Sequence, residues 1–212
     1  MFKKNLIGSV HKGAEYFFLA NYFQNNNNSI FYIARDDYEI FEIKKKLEWF
    51  LPEIEVLIFR AWDQIPYDKV SPSQEIQSER IKTLNKLINN KNKKIIFISS
   101  INAIIQKIIN KDFIKENRIT ISKEKKIEIN FLTKILKELG YQKKSIVRSK
   151  TDYAIRGNIV DVFLTENSNP LRIDFDDNYI ESINEFDPIS QLTNKNNNLK
   201  KISILPANEI LL

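Results

Sequence analysis

The feature that most constrains this chain is a change of hydrophobic rhythm near residue 112. Up to that point short apolar runs alternate with longer amphipathic ones; beyond it, apolar runs succeed one another across short polar breaks. The first rhythm is that of strands joined by helices, which requires a parallel sheet, and the second is that of antiparallel hairpins. The expected fold class is therefore α/β: a parallel, doubly wound sheet domain over residues 1–115, then a small α+β antiparallel domain over residues 116–212. In the first part, residues 29–34 read as a buried strand. Asp36 can cap a helix running to about Phe50, with Ile40, Phe41, Ile43, Leu47 and Phe50 near helical spacing and Pro52 beyond its end. Residues 54–59 read as a second strand. Ser71-Pro72-Ser73-Gln74 then offers an N-cap serine, a proline at the first helical position and a Gln at capping-box spacing, opening a helix with Ile81, Leu84 and Ile88 on one face. The continuous apolar run 94–98 suits a strand covered on both faces by helices.

In the second part Phe131, Leu132, Ile135, Leu136 and Leu139 mark an amphipathic helix ended by Gly140, where a left-handed backbone costs little. Strands are expected at 155–164, 171–175, 179–183 and 201–205, with Asp176-Asp177-Asn178 as a hairpin turn and 194–198 as a loop. The period of two along 171–175 turns Leu171, Ile173 and Phe175 inward and Arg172, Asp174 and Asp176 outward.

Composition narrows the chemistry. Zero cysteines remove disulfides, thiolate nucleophiles and Cys-ligated zinc, and a single histidine removes a His-rich metal site or a second imidazole base. No cofactor is expected. Thirty-three Lys+Arg against 27 Asp+Glu leave a charge of +6, which permits a nucleic-acid partner without arguing for one. The lysine runs 44–46, 91–94 and 123–126 lie among Ile, Asn and Glu rather than interleaved aromatics, so they read as solvated faces, with DNA binding weak or absent. No segment approaches the roughly 18 apolar residues of a membrane span, and a cytoplasmic protein is expected.

Gly8-Ser9-Val10-His11-Lys12-Gly13-Ala14-Glu15 has the glycine spacing of a phosphate-binding P-loop. Lys and then Ser or Thr should follow the second glycine, to reach the phosphates and hold magnesium. Ala14 and Glu15 stand there, and neither can serve a nucleoside triphosphate.

Two further groups of motifs carry a resemblance. Ala61-Trp62-Asp63-Gln64-Ile65-Pro66-Tyr67-Asp68, with Ser71-Pro72 and Glu79-Arg80 after it, resembles the stretch following the third strand-helix unit of the transcription-repair coupling factor family. Tyr153 to Phe163 (YAIRGNIVDVF), Pro170-Leu171-Arg172-Ile173-Asp174-Phe175, Ile180-Glu181-Ser182-Ile183, Phe186-Asp187 and Ile204-Leu205-Pro206-Ala207-Asn208-Glu209 are similar, in the same order, to the next module of that family.

The resemblance implies a non-catalytic N-terminal module similar to the excision-repair subunit UvrB, with a degenerate P-loop (Gly8, Gly13, Ala14, Glu15), whose second domain (116–212) binds UvrA. UvrB itself fits less well: it would need an intact P-loop and an aromatic-rich DNA clamp hairpin, where this chain has only residues 60–70. The family places an RNA-polymerase-binding domain and a translocating motor further on, so the chain is expected to be an N-terminal fragment or a shortened protein. By resemblance Arg156 and Arg172 contact UvrA. Asp176 stands where the family often has an apolar residue, commonly Phe, that packs on UvrA. Arg148 is a further outward candidate. Read from the residues alone, Arg172 can instead pair with Asp174, Asp176 or Glu181, and Arg156 with Asp161. Two other readings remain open at this level: a UvrB-like DNA-binding module, and a magnesium-dependent nuclease built on Asp161, Asp174, Asp176 and Asp177.

Overall fold

Strand–helix alternation does produce a parallel sheet. The computed structural model describes residues 8, 10, 11, 13–64, 70–90, 93–123 and 125–209. Ser9 and Lys12 of the glycine loop, residues 65–69 with Tyr67, and Lys91, Asn92 and Glu124 of the lysine-rich runs lie outside the described residues. The chain divides by packing into two units, Met1–Ala61 with Asn90–Gln106, and Trp62–Asn89 with Lys107–Leu212.

In the first unit β1(Ile30–Ala34), β2(Val56–Phe59) and β3(Ile96–Ser100) form a parallel sheet in the order β1-β3-β2. Tyr16, Ala20 and Phe23 of α1(Ala14–Asn25) and Ile40, Ile43 and Leu47 of α2(Asp37–Phe50) pack with Ala34, Val56, Ile96 and Ile98 of the sheet. Each fully buried Val, Leu, Ile or Phe side chain among them contributes about 1.5–3 kcal/mol by leaving water. Asp36 is the N-cap of α2, accepting the Glu39 N–H at 2.9 Å, while the Glu39 carboxylate reaches back to the Arg35 N–H at 2.7 Å. Leu51 ends the helix, just before Pro52. Phe41 and Trp49, by contrast, are exposed. The short α4(Ile101–Ile104) follows β3.

The second unit contains α3(Gln74–Asn89), α5(Lys111–Glu116), β4(Ile119–Ser122), α6(Ile129–Glu138), β5(Gln142–Lys143), β6(Asp152–Arg156), β7(Ile159–Val162), β8(Leu171–Asp176), β9(Tyr179–Phe186), β10(Thr193–Asn198) and β11(Lys201–Ile204). The packing units thus cut the chain elsewhere than between 115 and 116: α3, the crossover from β2 to β3, clusters with the later strands. Helix α3 also starts two residues later than its Ser71 signal suggests. Ser73 takes the capping place, its hydroxyl 3.4 Å from the Ile76 N–H.

Six strands run in the order β10-β9-β8-β7-β6-β5, antiparallel except for the short β5–β6 pair, and β11 pairs with β4 in a separate antiparallel sheet. Val160, Val162, Leu171, Ile173, Phe175 and Ile183 meet Leu132, Ile135, Leu136 and Leu139 in one core. Gly140, at φ 84, takes the left-handed position past α6. Two strand expectations are corrected. The run 155–164 is not one strand: it spans the second half of a hairpin whose two-residue turn is Gly157-Asn158, with Gly157 at φ 57. The Asn-rich stretch 194–198 is not a loop but most of edge strand β10, which pairs with β9 across a register shift.

Candidate functional site

The β6–β7 hairpin sets the register that builds the site. With Gly157-Asn158 at the turn, Ala154 stands opposite Asp161, and Asp161 in turn opposite Arg172 of β8. Directly opposed residues share a face. Arg156, Asp161, Arg172, Asp174, Ser182 and Asn184 therefore lie on one side of the sheet, away from the core side.

Asp161 is the hub. Its carboxylate is fully buried, at 0% exposure, because two arginines cover it. Arg172 binds it in a two-point fork, Nε to Oδ1 at 2.8 Å and Nη2 to Oδ2 at 3.0 Å, and Arg156 Nη2 donates to the same Oδ2. Arg172 is occupied further. Its Nη1 donates to Thr193 Oγ1 at 2.8 Å and to the Gln191 carbonyl at 3.3 Å, and its guanidinium lies 4.7 Å from the Phe186 ring centre. The Asp161 carboxylate holds the Arg172 pKa above its ordinary value. Only 16% of the Arg172 side chain is exposed, against 48% for Arg156. The two residues thus differ in role: Arg172 braces the carboxylate, and Arg156 offers a half-exposed guanidinium whose other N–H groups make no hydrogen bond among the described residues.

The expected pairing of Arg172 with Asp174, Asp176 or Glu181 is not found, since cross-strand register gives it Asp161 instead; the expected Arg156–Asp161 pair forms. Asp174 accepts the Ser182 hydroxyl. Asp176 is exposed at the end of β8, opposite the exposed Tyr179, an aromatic that sequence reasoning passed over as an ordinary strand residue. Asp177 occupies the turn at φ 50. Among the described residues no three His, Asp or Glu side chains gather where they could hold a metal ion, and the Asp161 carboxylate is taken up by two arginines. Arg148 is exposed on the rim of a pocket with Lys150 and Phe163, apart from the arginine pair.

In the glycine loop Gly13, at φ 97, directly precedes α1, and its N–H donates to the Glu15 carboxylate, so the loop's last amide is taken from within. Sequence reasoning also missed a buried cluster in the second unit. Glu209 accepts Arg80 through Nε and, at 3.3 Å, Nη2, and accepts Trp62 Nε1 at 3.2 Å, while the Arg80 guanidinium lies 5.1 Å from the Trp62 ring centre. Motifs far apart in sequence meet there. No helix is long and apolar enough to cross a membrane among the described residues.

The sheet thus has the larger core on one side, and on the other the arginine pair beside a small buried cluster of Val147, Ala154, Phe163 and Phe186. Residues 119–210, which hold that sheet, match the UvrB interaction domain family. Over nearly its whole length the chain is homologous to transcription-repair-coupling factors. That of Rickettsia bellii is 32% identical over 93% of this chain and 17% of its own length. Those of Haemophilus influenzae and Escherichia coli are 30% and 27% identical, over 96% and 98% of this chain and 17% and 18% of theirs. The chain spans about a sixth of the length of these relatives.

Proposed function

We propose that this chain is the module through which a transcription-repair coupling factor recruits UvrA to stalled transcription complexes for nucleotide excision repair, in the cytoplasm and alongside the other domains of the full-length protein. The observation that carries the reading is the coincidence of the UvrB interaction domain match with a sheet face that presents Arg156 on a buried, braced carboxylate. The first part is read as a doubly wound, helicase-like fold with a degenerate P-loop. Glu15 on the Gly13 amide would repel an incoming phosphate, which supports a chain that holds no nucleotide and runs no catalysis of its own.

The contacts proposed for UvrA are Arg156 and the area around Asp176 and Tyr179, with Arg172 acting chiefly through Asp161. Calorimetric titration of the chain into UvrA of the same organism tests this. Micromolar or tighter binding that Arg156→Ala weakens at least tenfold is expected. Absence of binding at high micromolar concentration would withdraw the function. Any affinity for DNA is expected to be weak and to show no steep salt dependence, because a module that does not track phosphates releases few counterions.

A further inference from the structure

One short turn after β9 is fixed with unusual completeness. The Asp187 carboxylate accepts the N–H groups of Ile189 at 3.1 Å and Ser190 at 2.6 Å, its carbonyl accepts the Gln191 N–H at 2.8 Å, and its own N–H donates to the Leu192 carbonyl at 3.0 Å. Bonds to Ser190, with a further one from Ile189, hold the Asp187 carboxyl below the usual carboxylate range. Gln191 sits in the left-handed region at φ 62, and its amide is anchored on the carbonyls of Val147 at 3.2 Å and Pro188 at 2.8 Å. What this turn presents to water is apolar. Ile189 and Leu192 are 86% and 72% exposed, the two most exposed large apolar side chains among the described residues of the second unit.

Three features point to a partner. A pre-ordered turn loses little entropy on binding, so aliphatic side chains fixed on it can act as anchors. The turn is continuous with the arginine pair, because Arg172 bonds both the Gln191 carbonyl and the Asp161 carboxylate that carries Arg156. Leu192 also stands on the lip of a groove of about 310 Å³, lined with Asn169, Phe186 and Thr193, that a partner side chain can enter. Specific interfaces combine an apolar centre with a polar rim, and the arginine pair supplies only the rim.

We propose that the turn 187–192 is the apolar half of the UvrA-docking surface, with Ile189 and Leu192 seated in apolar pockets of UvrA beside an acidic group that meets Arg156. The proposal rests on the adaptor reading above. It is tested by titrating into UvrA the wild-type chain, Arg156→Ala, the double variant Ile189→Ser with Leu192→Ser, and Ile105→Ser as an exposed apolar control in the first unit. Both turn residues are exposed, so the double variant should melt with the wild type. It should bind at least tenfold more weakly, while Ile105→Ser binds unchanged. Wild-type affinity in the double variant, with Arg156→Ala weakened, overturns the turn and leaves the adaptor reading standing. No binding by the wild type withdraws both. A dimer in light scattering that the double variant abolishes would make a second copy of this chain the occupant and overturn the proposal.

Discussion

Asp161 is the residue on which the docking face depends. A carboxylate removed from water is held by the guanidinium groups that cover it, Arg172 through two bonds and Arg156 through one, and breaking the buried arrangement at the carboxylate is far more costly than trimming its half-exposed partner. Asp161→Asn is therefore expected to lower stability by about 3 kcal/mol in urea unfolding, and Arg156→Ala, whose side chain is half in water, by less than about 1 kcal/mol. Equal losses would contradict the hub. How much of this was legible depended on register. Alternation along 171–175 placed Arg172 correctly on the outer face, yet its partner lies on another strand. The Gly157-Asn158 turn that brings Asp161 opposite Arg172 was hidden inside a run read as one strand.

Elements with strong local chemistry were legible, and those held by backbone pairing or by all-round apolar surface were not. Helix α2 announces itself through Asp36 and a clean apolar stripe. Helix α1 does not, because Phe17, Phe18 and Tyr22 point to solvent while Tyr16, Ala20 and Phe23 are buried, leaving no single stripe in the sequence. Strand β10 is asparagine-rich, and its pairing with β9 uses main-chain groups that composition does not reveal. The segment after β7 is clipped by Lys150, whose ammonium donates to the carbonyls of Leu164, at 3.3 Å, and Asn167, and lies 4.2 Å from the Phe163 ring centre. Burial, reinforced by nearby Lys82, brings its pKa down to about 8. An unfolded lysine keeps its proton to about pH 10.4. Between these values the unfolded chain binds more protons than the folded one, so this group makes stability rise with pH from about 8 to 10. Urea midpoints of wild type and Lys150→Met should diverge across that window in the wild type's favour; parallel profiles would contradict the lowered pKa of the buried ammonium.

At the scale of the whole chain, hydrophobic rhythm leads to a parallel sheet followed by an antiparallel one, but not to which segments pack together. The reason is physical: α3 joins the second unit, where its buried Arg80 pairs with Glu209, 129 residues away, and no local pattern encodes such a partner. Glu209→Ala leaves a fully buried guanidinium without its carboxylate and is expected to cost about 3–5 kcal/mol in thermal or urea unfolding. A loss under about 1 kcal/mol would show that the charge is relieved some other way. The central claim, that the outer face of the six-stranded sheet receives UvrA, is tested most directly by hydrogen–deuterium exchange of the chain with and without UvrA. Slowed exchange is expected at residues 156–159, 176–179 and 187–192, with the first unit unchanged. Protection confined to the first unit, or none at saturating UvrA, would contradict it.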